Sequence, residues 1–361
     1  DFLGDNTSLG TINDAYDAGT LVPSSTNSSL IINGDMRIAQ RGTTSTSDEY
    51  QTVDRFKTSN GGLDEAVTQE HHALTSSDTG VWELGFRHSY KQTNGNQSSG
   101  AGTDDRVTIQ YPIEGQDMTT SGWDYTSPSS DVTLSFWCKS SVAQNFYARL
   151  QSYGGTQQNY VMETGSLTAN TWTKITKTIQ GGAAIAFDND NKIGLLLEII
   201  MFRGTNKTGT RALNIWEQYD TNIRVPDMDS TWYTTNDATF EVTGVKLEVG
   251  SEATDFQHTS YREELAKCQR YYETGRTSST GYGAAGTGFF GCMVDYKTEK
   301  RAVATLTQSS QSYFQVYSNT IYLGSVGLSY TLNETNGFYH CGTHNNVNCK
   351  YVFTYTADAE L

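Results

Sequence analysis

The clearest strand in the sequence is Phe240-Glu-Val-Thr-Gly-Val-Lys-Leu-Glu-Val249. Apolar residues alternate with polar ones on both sides of Gly244, which is typical of a strand with one face in a core. The alternation slips by one residue at Thr243-Gly244. A glycine at such a slip predicts a β-bulge, which would bring both apolar sets onto the same core face.

A helix is expected soon after this strand, at residues 259–275. Ser260 and Glu263 have the spacing of a capping box. Four residues behind them recur at helical intervals: Tyr261, Leu265, Cys268 and Tyr272. Gly275 can end the helix, because glycine tolerates the left-handed conformation that often follows a last helical turn. No other segment of the sequence predicts a helix as clearly.

The composition favours many short strands over helices. The chain has 361 residues, of which 34 are Gly and 22 are Tyr, and only 36% are hydrophobic. Further strands are predicted at 81–86, 107–111, 132–137, 145–150, 172–179 and 193–202. Segment 193–202 is apolar at both its odd and its even positions, which indicates a central strand covered on both faces. We therefore predict an all-β protein built on an antiparallel β-sandwich, a jelly roll.

Four segments are predicted along the chain. They are an extended N-terminal arm (1–29), the jelly-roll β-sandwich (30–258), one connector helix (259–275) and a small distal β domain (276–361). Asp1 as the first residue suggests that the chain continues upstream. Residues 277–288 are rich in Gly, Ser and Thr, as in a linker, and strands are expected at 289–295, 302–307, 313–317, 320–323 and 351–355. A β domain of this size is marginal alone, so association would stabilise it.

Charge and composition exclude several classes of partner. The net charge of −15 argues against binding a nucleic-acid backbone, which requires basic patches. No apolar run reaches the roughly 18 residues of a membrane-spanning helix, so membrane insertion is not expected. The 5 cysteines are an odd number at irregular spacing, which indicates folding in a reducing cytoplasm rather than a disulfide framework.

The sequence does not single out a catalytic site. Neither a G-x-S-x-G elbow nor an H-E-x-x-H motif occurs. A glycosidase needs two suitably placed carboxylates, and 40 acidic residues offer many pairs without selecting one. Gly281-Tyr-Gly-Ala-Ala-Gly286 has the G-x-G-x-x-G form but lacks the strand and helix of a dinucleotide site, so it is interpreted as a loop. No cofactor is predicted.

Two segments have ligand types that metals use. Cys341, His344 and Cys349 have a spacing that zinc tolerates, although a loop with incidental thiols explains them as well. Asp188-Asn-Asp-Asn191 contains calcium-type oxygens, but a tight turn explains it better. No metal ligand is therefore predicted, and the question of Cys341, His344 and Cys349 stays open.

Three groups of segments carry a family resemblance. The first is Ile32-Asn-Gly-Asp-Met-Arg-Ile-Ala-Gln-Arg-Gly-Thr43 with Thr52-Val-Asp-Arg-Phe56. The second is Gly115-Gln-Asp-Met118 with Val132-Thr-Leu-Ser-Phe-Trp137. The third is Thr243-Gly-Val-Lys-Leu-Glu-Val-Gly-Ser251 with Ala253-Thr254, Phe256 and Glu264-Leu-Ala-Lys-Cys-Gln-Arg-Tyr-Tyr272. In order and spacing they resemble bacteriophage tail-fibre and related virion structural proteins that contain a carbohydrate-binding-module-like jelly roll. The resemblance covers residues 30–272, and Asp255 stands where such proteins often have proline.

The resemblance implies a structural virion component that is made in the bacterial host cytoplasm and engages a receptor. We expect a non-enzymatic fibre or spike protein for host recognition and adsorption. Its expected partners are two further copies of itself in a homotrimer, other virion proteins through the arm, and a host-surface glycan or protein. The shared motifs resemble packing, and Asp54 and Arg55 are expected to pair with each other. Two alternatives stay open: a head or neck decoration fibre, and a polysaccharide-degrading tailspike.

Six aromatic residues on expected loops are candidate receptor or glycan contacts, because aromatic rings stack on sugars. They are Trp123, Tyr125, Trp232, Tyr233, Phe338 and Tyr339. The alternative for each ring is packing in a core. The distal pair is favoured because it lies outside the region of resemblance.

Overall fold

The computed structural model describes residues 28–281, 288–308, 312–315, 321–322, 328–344 and 349–361. Along the strands, side chains are left undescribed at 279–281, 288–291, 312–315, 321–322, 328–332, 340–344 and 349–352. Residues 1–27 of the predicted N-terminal arm therefore lie outside the described residues. None of the described helices has the length and the apolar character that a membrane span requires.

Residues 44–249 form a β-sandwich. Its strands are, in chain order, β1 (Thr44–Ser45), β2 (Lys57–Gly61), β3 (Thr68–Ala73), β4 (His88–Thr93), β5 (Arg106–Glu114), β6 (Asp131–Ser140), β7 (Asn145–Ser152), β8 (Gln158–Ser166), β9 (Thr173–Gln180), β10 (Ile193–Arg203), β11 (Trp216–Gln218) and β12 (Thr239–Val249). One sheet has the order β1-β3-β4-β12-β6-β9 and the other β11-β8-β7-β10-β5-β2. Neighbouring strands are antiparallel in both sheets.

The strand order is that of a jelly roll. Eight strands carry the pattern, in two groups of neighbours: β4-β12-β6-β9 in one sheet and β8-β7-β10-β5 in the other. The chain crosses between the sheets at every step from β4 to β12 except the β7–β8 hairpin and the short edge strand β11. Two interlocked Greek keys produce this arrangement. The predicted antiparallel jelly roll is thus confirmed.

The predicted bulge lies in the middle of β12. The pairing of β12 with β6 shifts register between Thr243 and Lys246, and Gly244 has φ 62°. A Cβ at Gly244 would lie 2.7 Å from the Phe86 ring, so glycine is needed for both space and conformation. The apolar residues on both sides of the slip are buried in one core: Phe240, Val242, Val245 and Leu247.

The strand predictions are wrong where the polarity of a segment does not match its place in the sheets. Residues 81–86 form a turn rather than a strand, and Val81 and Phe86 are apolar because they pack under Trp137 and Phe256. Conversely, β3 reads Thr-Gln-Glu-His-His-Ala, and its low apolar content gives no strand pattern in the sequence. Strand β10 lies between β5 and β7 with 10 of its 11 residues buried, which confirms the predicted central strand.

Three helices are described: α1 (Gly115–Thr119), α2 (Thr231–Thr234) and α3 (Tyr261–Gln269). The predicted capping box of Ser260 and Glu263 is present at the start of α3. The predicted end at Gly275 is wrong, because Tyr272 already begins a strand. Tyr261, the first residue of the predicted helical stripe, is 60% exposed, so it does not lie on a buried face. Pairing of residues 272–281 with the C-terminal strand overrides the helical pattern.

The described residues from 272 onward form two small sheets. Its strands are β13 (Tyr272–Gly281), β14 (Gly288–Asp295), β15 (Thr305–Gln308), β16 (Ser312–Gln315), β17 (Ile321–Tyr322), β18 (Leu328–Asn333), β19 (Gly337–His344) and β20 (Cys349–Asp358). Sheet β13-β20-β16-β17, with β15 also paired to β20, faces sheet β14-β19-β18. Between them lies a separate hydrophobic cluster that includes Val294, Phe338, Phe353 and Tyr355.

The C-terminal residues bind back onto the sandwich. Ala359 N donates to Tyr271 O at 2.7 Å, and Tyr50 Oη donates to Leu361 O at 3.1 Å. Arg55 forms an ion pair with Glu360, whereas the Asp54 carboxylate accepts hydrogen bonds from Gln40. The expected Asp54–Arg55 pair is therefore wrong, because each side chain has a different and more distant partner.

Candidate functional site

Two of the predicted contact residues, Trp232 and Tyr233, are buried in the sandwich core. Trp232 Nε1 donates to Thr239 O at 3.0 Å. The Tyr233 ring stacks on Phe202 with 4.3 Å between centroids, and its hydroxyl donates to Asp105 at 2.8 Å. Because both rings are enclosed, neither presents a face to a ligand. Their role is packing, which corrects the sequence-based expectation.

The same correction applies to Trp123 and Phe338. Trp123 is buried, and its Nε1 donates to Ser130 O at 3.1 Å. Phe338 is buried in the distal cluster against Tyr355. Tyr125 is half-buried beside Phe187, with 4.8 Å between ring centroids, and Tyr339 is 36% exposed. Tyr125 and Tyr339 thus stay predictions.

A groove at the edge strand β11 has the geometry of a ligand site. It encloses about 400 Å³. We call it the β11 groove, and its lining residues are Tyr160, Thr178, Gln180, Gly181, Gly182, Asn214, Ile215 and Trp216. They come from β8, from the end of β9 with the glycine pair after it, and from β11 with the two residues before it. The jelly roll therefore brings three separate parts of the chain to one place.

The indole of Trp216 is held in one orientation. Trp216 pairs with Tyr160 in the β11–β8 ladder, and their ring centroids are 5.3 Å apart. Trp216 Nε1 donates to Gln180 O at 2.8 Å. Burial raises the pKa of the Tyr160 phenol, so Tyr160 stays neutral. A ring fixed in this way loses little conformational entropy when a ligand stacks on it.

Two glycines leave space beside the indole. A Cβ at Gly182 would lie 3.6 Å from Trp216 Cδ1, so a larger side chain there would occupy the space next to the ring. A Cβ at Gly181 would meet the carbonyl oxygens of Ser127 and Tyr125 at 2.5 and 2.7 Å. Gly182 N donates to Tyr125 O at 2.8 Å. The loop that contains the predicted residue Tyr125 thus supports the groove through its backbone.

The polar groups of the groove are amides and hydroxyls. The side-chain amides of Gln180 and Asn214 are exposed and bond to no other described residue. None of the lining residues is charged, although 18% of the chain is. An oriented aromatic ring with unoccupied amides and no charge suits a neutral ligand that carries many hydroxyl groups.

The sequence contained little signal for this groove. Trp216 lies in the segment Arg-Ala-Leu-Asn-Ile-Trp-Glu-Gln, in which apolar and polar residues do not alternate as in a strand. Its short strand exists because Trp216, Glu217 and Gln218 pair with β8. The available sequence signal is this single tryptophan next to Glu217, together with the pair Gly181-Gly182.

Metal binding by Cys341, His344 and Cys349 stays an open alternative. Among the side chains that are described, no three His, Cys, Asp or Glu groups are placed to hold an ion. The side chains of Cys341, His344 and Cys349 lie outside the described residues. At 188–191 the backbone turns, with Asp190 N donating to Asp188 O at 2.9 Å, as the turn interpretation predicted.

Comparisons with known proteins give distant structural likenesses. No protein-family model and no curated protein matches the chain. The enzymatically active domain of tailspike protein 4 from bacteriophage CBA120 is 8% identical with a TM-score of 0.30, and the match covers 62% of this chain and 21% of that one. The family 11 carbohydrate-binding module of a Clostridium thermocellum cellulase is 14% identical with a TM-score of 0.28, covering 58% and 96%.

A third similar structure is the N-terminal cellulose-binding domain of β-1,4-glucanase C from Cellulomonas fimi. It is 10% identical with a TM-score of 0.27, and the match covers 60% of this chain and 99% of that domain. These scores are low, so the fold assignment rests on the strand orders given above.

Proposed function

We propose that the protein is a bacteriophage fibre or spike component that binds a neutral glycan on the host surface without cleaving it. The observation that supports this proposal most is the β11 groove, where the fixed Trp216 ring lies beside the unoccupied amides of Gln180 and Asn214. Its size is in the range of small-ligand sites, which is about 300–1,000 Å³.

The absence of carboxylates from the groove supports a binding role over hydrolysis. Glycoside hydrolysis generally requires an acid and a second carboxylate on either side of the scissile bond. None of the eight lining residues is Asp or Glu. A glycan held in this groove would therefore be bound and left intact.

The virion assignment is supported by how the segments of family resemblance meet. Asn33 N, in the first segment, donates to the Glu264 carboxylate, in the third, at 2.5 Å. Tyr271 Oη, also in the third, donates at 2.6 Å to Glu114, which directly precedes the second. The three segments thus form one contiguous framework around α3, as expected of a shared structural motif.

A glycan array that carries neutral and charged oligosaccharides, including host envelope glycans, tests this function. We expect the protein to label neutral glycans and to release no new reducing ends from them. Labelling of acidic glycans alone, or of none, would contradict the proposal. New reducing ends would favour the polysaccharide-degrading alternative instead.

We further propose that the chain is a homotrimer. The distal unit has a small described core, and association with two other copies would add buried surface to it. Native mass spectrometry is expected to give an assembly of three 39.8 kDa chains. A monomer at micromolar concentration would argue against the trimer but not against glycan binding.

A further inference from the structure

A second cavity lies at the β18–β19 turn, and we call it the hairpin pocket. It encloses about 150 Å³. Glu334 N donates to Gly337 O at 2.9 Å, which closes the turn, and Tyr296 N donates to Asn336 O at 2.9 Å, which holds the turn against the chain after β14. The walls of the pocket are thus fixed by backbone hydrogen bonds.

Two large side chains of the hairpin pocket are exposed next to each other. Met293 is 72% exposed and Tyr339 is 36% exposed, and the two residues are directly opposite in the β14–β19 ladder. Phe338, on the other face of the strand, is buried in the core. The strand therefore anchors itself through Phe338 and presents Tyr339 outward beside a thioether.

The polar side chains of the hairpin pocket are two carboxylates and an amide: Asp295, Glu334 and Asn336. Asp295 and Glu334 form no ion pair with any cation in the described part of the chain. The two nearby lysines have other partners, since Lys297 Nζ donates to Thr274 O at 2.7 Å and Lys300 Nζ donates to Glu273 at 2.7 Å. Among the described residues, the pocket thus combines an exposed ring with two negative charges that have no cationic partner.

We propose that the hairpin pocket binds the protonated amine of an amino sugar. An ammonium group is attracted both by carboxylates and by the face of an aromatic ring. The apolar face of one sugar ring would contact Tyr339 and Met293. The small cavity suits a single sugar unit. The choice of a saccharide rests on the proposed glycan-binding function, whereas the choice of a cation rests on Asp295, Glu334 and Tyr339 alone.

Two disaccharides that differ only in charge test this site. The glucosamine β-1,4 disaccharide with free amines is expected to bind the full chain in calorimetric titrations, and its N,N′-diacetyl form is expected to bind at least about tenfold more weakly. D295N and E334Q should each weaken binding of the free-amine form by about fivefold or more. D104N, which removes an exposed carboxylate on the sandwich, should leave it unchanged and controls for the overall negative charge.

Three results would overturn the proposal. They are equal affinity for the two disaccharides, equal effects of D295N and D104N, and equally tight binding of Nα-acetyl-lysine amide, which would indicate a protein cation as the ligand. The variant G182V, altered in the β11 groove, should bind the free-amine disaccharide normally. This arm keeps a failure of the hairpin pocket distinct from a failure of the proposed function.

Discussion

Replacing Glu198 by alanine is expected to lower the free energy of unfolding by about 3–5 kcal/mol, the usual cost of removing one partner of a buried ion pair. Glu198 is fully buried on β10. It pairs with Arg149 and, at 2.8 Å, with Arg203, and it accepts a hydrogen bond from Gln110 at 2.9 Å. Both arginines are buried as well, so the substitution leaves two guanidinium groups without their counter-charge.

The position of Glu198 explains why it is buried at all. Alternate residues of β10, such as Leu197 and Ile199, face the sandwich core, so Glu198 is on the outer face of the sheet. Segment 204–229 covers that face, where Val225 packs on Ile200. The side-chain amide of Asn159 donates to Arg224 O at 2.8 Å. Because Arg149 Nη1 donates to Asn159 Oδ1 at 3.3 Å, the charged cluster is linked through Asn159 to segment 204–229, which also contains Trp216.

Denaturant titration checks this prediction, with E252A as the matched control. Glu252 is exposed, so its loss should change stability by less than about 0.5 kcal/mol. An E198A protein as stable as E252A would show that the cluster is not a stabilising element.

The stability difference between wild type and E198A should also depend on pH. Burial raises the pKa of Glu198, but Arg149 and Arg203 outweigh it and hold the pKa well below the ordinary value of 4.5. Because the folded pKa is depressed, the unfolded chain binds the proton first as pH falls. The stabilisation by Glu198 is thus complete above pH 4.5 and is lost progressively below it. The free energies of unfolding of wild type and E198A should therefore converge as pH falls below 4.5.

The fold was predictable because its core strands alternate or are wholly apolar. The alternation in β12 and the continuous apolar run in β10 both predict strands. The polar edge strands β1, β3 and β11 could not be predicted, since backbone pairing rather than apolar periodicity creates them. Helix α3 began as its capping box predicted and ended early, because residues 272–281 pair with a strand far along the chain.

The candidate site was much less predictable than the fold. The sequence shows where an aromatic residue is but not whether other side chains bury its ring. Trp232 is a candidate contact in the sequence and Trp216 is not, yet Trp232 is enclosed by the core and Trp216 faces a groove. The difference arises from the tertiary contacts of Gln180 and Gly182, which lie more than 30 residues from Trp216.

The second large effect is expected at Gly182. Valine there should reduce the labelling of neutral glycans by at least about tenfold, equivalent to about 1.4 kcal/mol or more. The added methyl groups would fill the space beside Trp216 Cδ1, whereas a Cβ itself makes only ordinary contacts of 3.6 Å and longer. The backbone of Gly182 has no left-handed φ, so valine is not strained. W216A, which removes the ring, should produce the same loss.

Gly42 supplies a matched control for this substitution. A Cβ at Gly42 would have one neighbour within 4 Å, Gln51 O at 3.6 Å, and its φ is likewise ordinary. Gly42 does not line the groove. G42V should therefore label neutral glycans as wild type does, which separates blocking of the groove from a general effect of valine.

The decisive measurement is a glycan array probed in parallel with wild type, G182V and G42V, each first shown to have the same unfolding midpoint. Neutral-glycan binding through the β11 groove predicts that wild type and G42V label the same neutral glycans and that G182V does not. Equal labelling by folded G182V would contradict the groove as the glycan site.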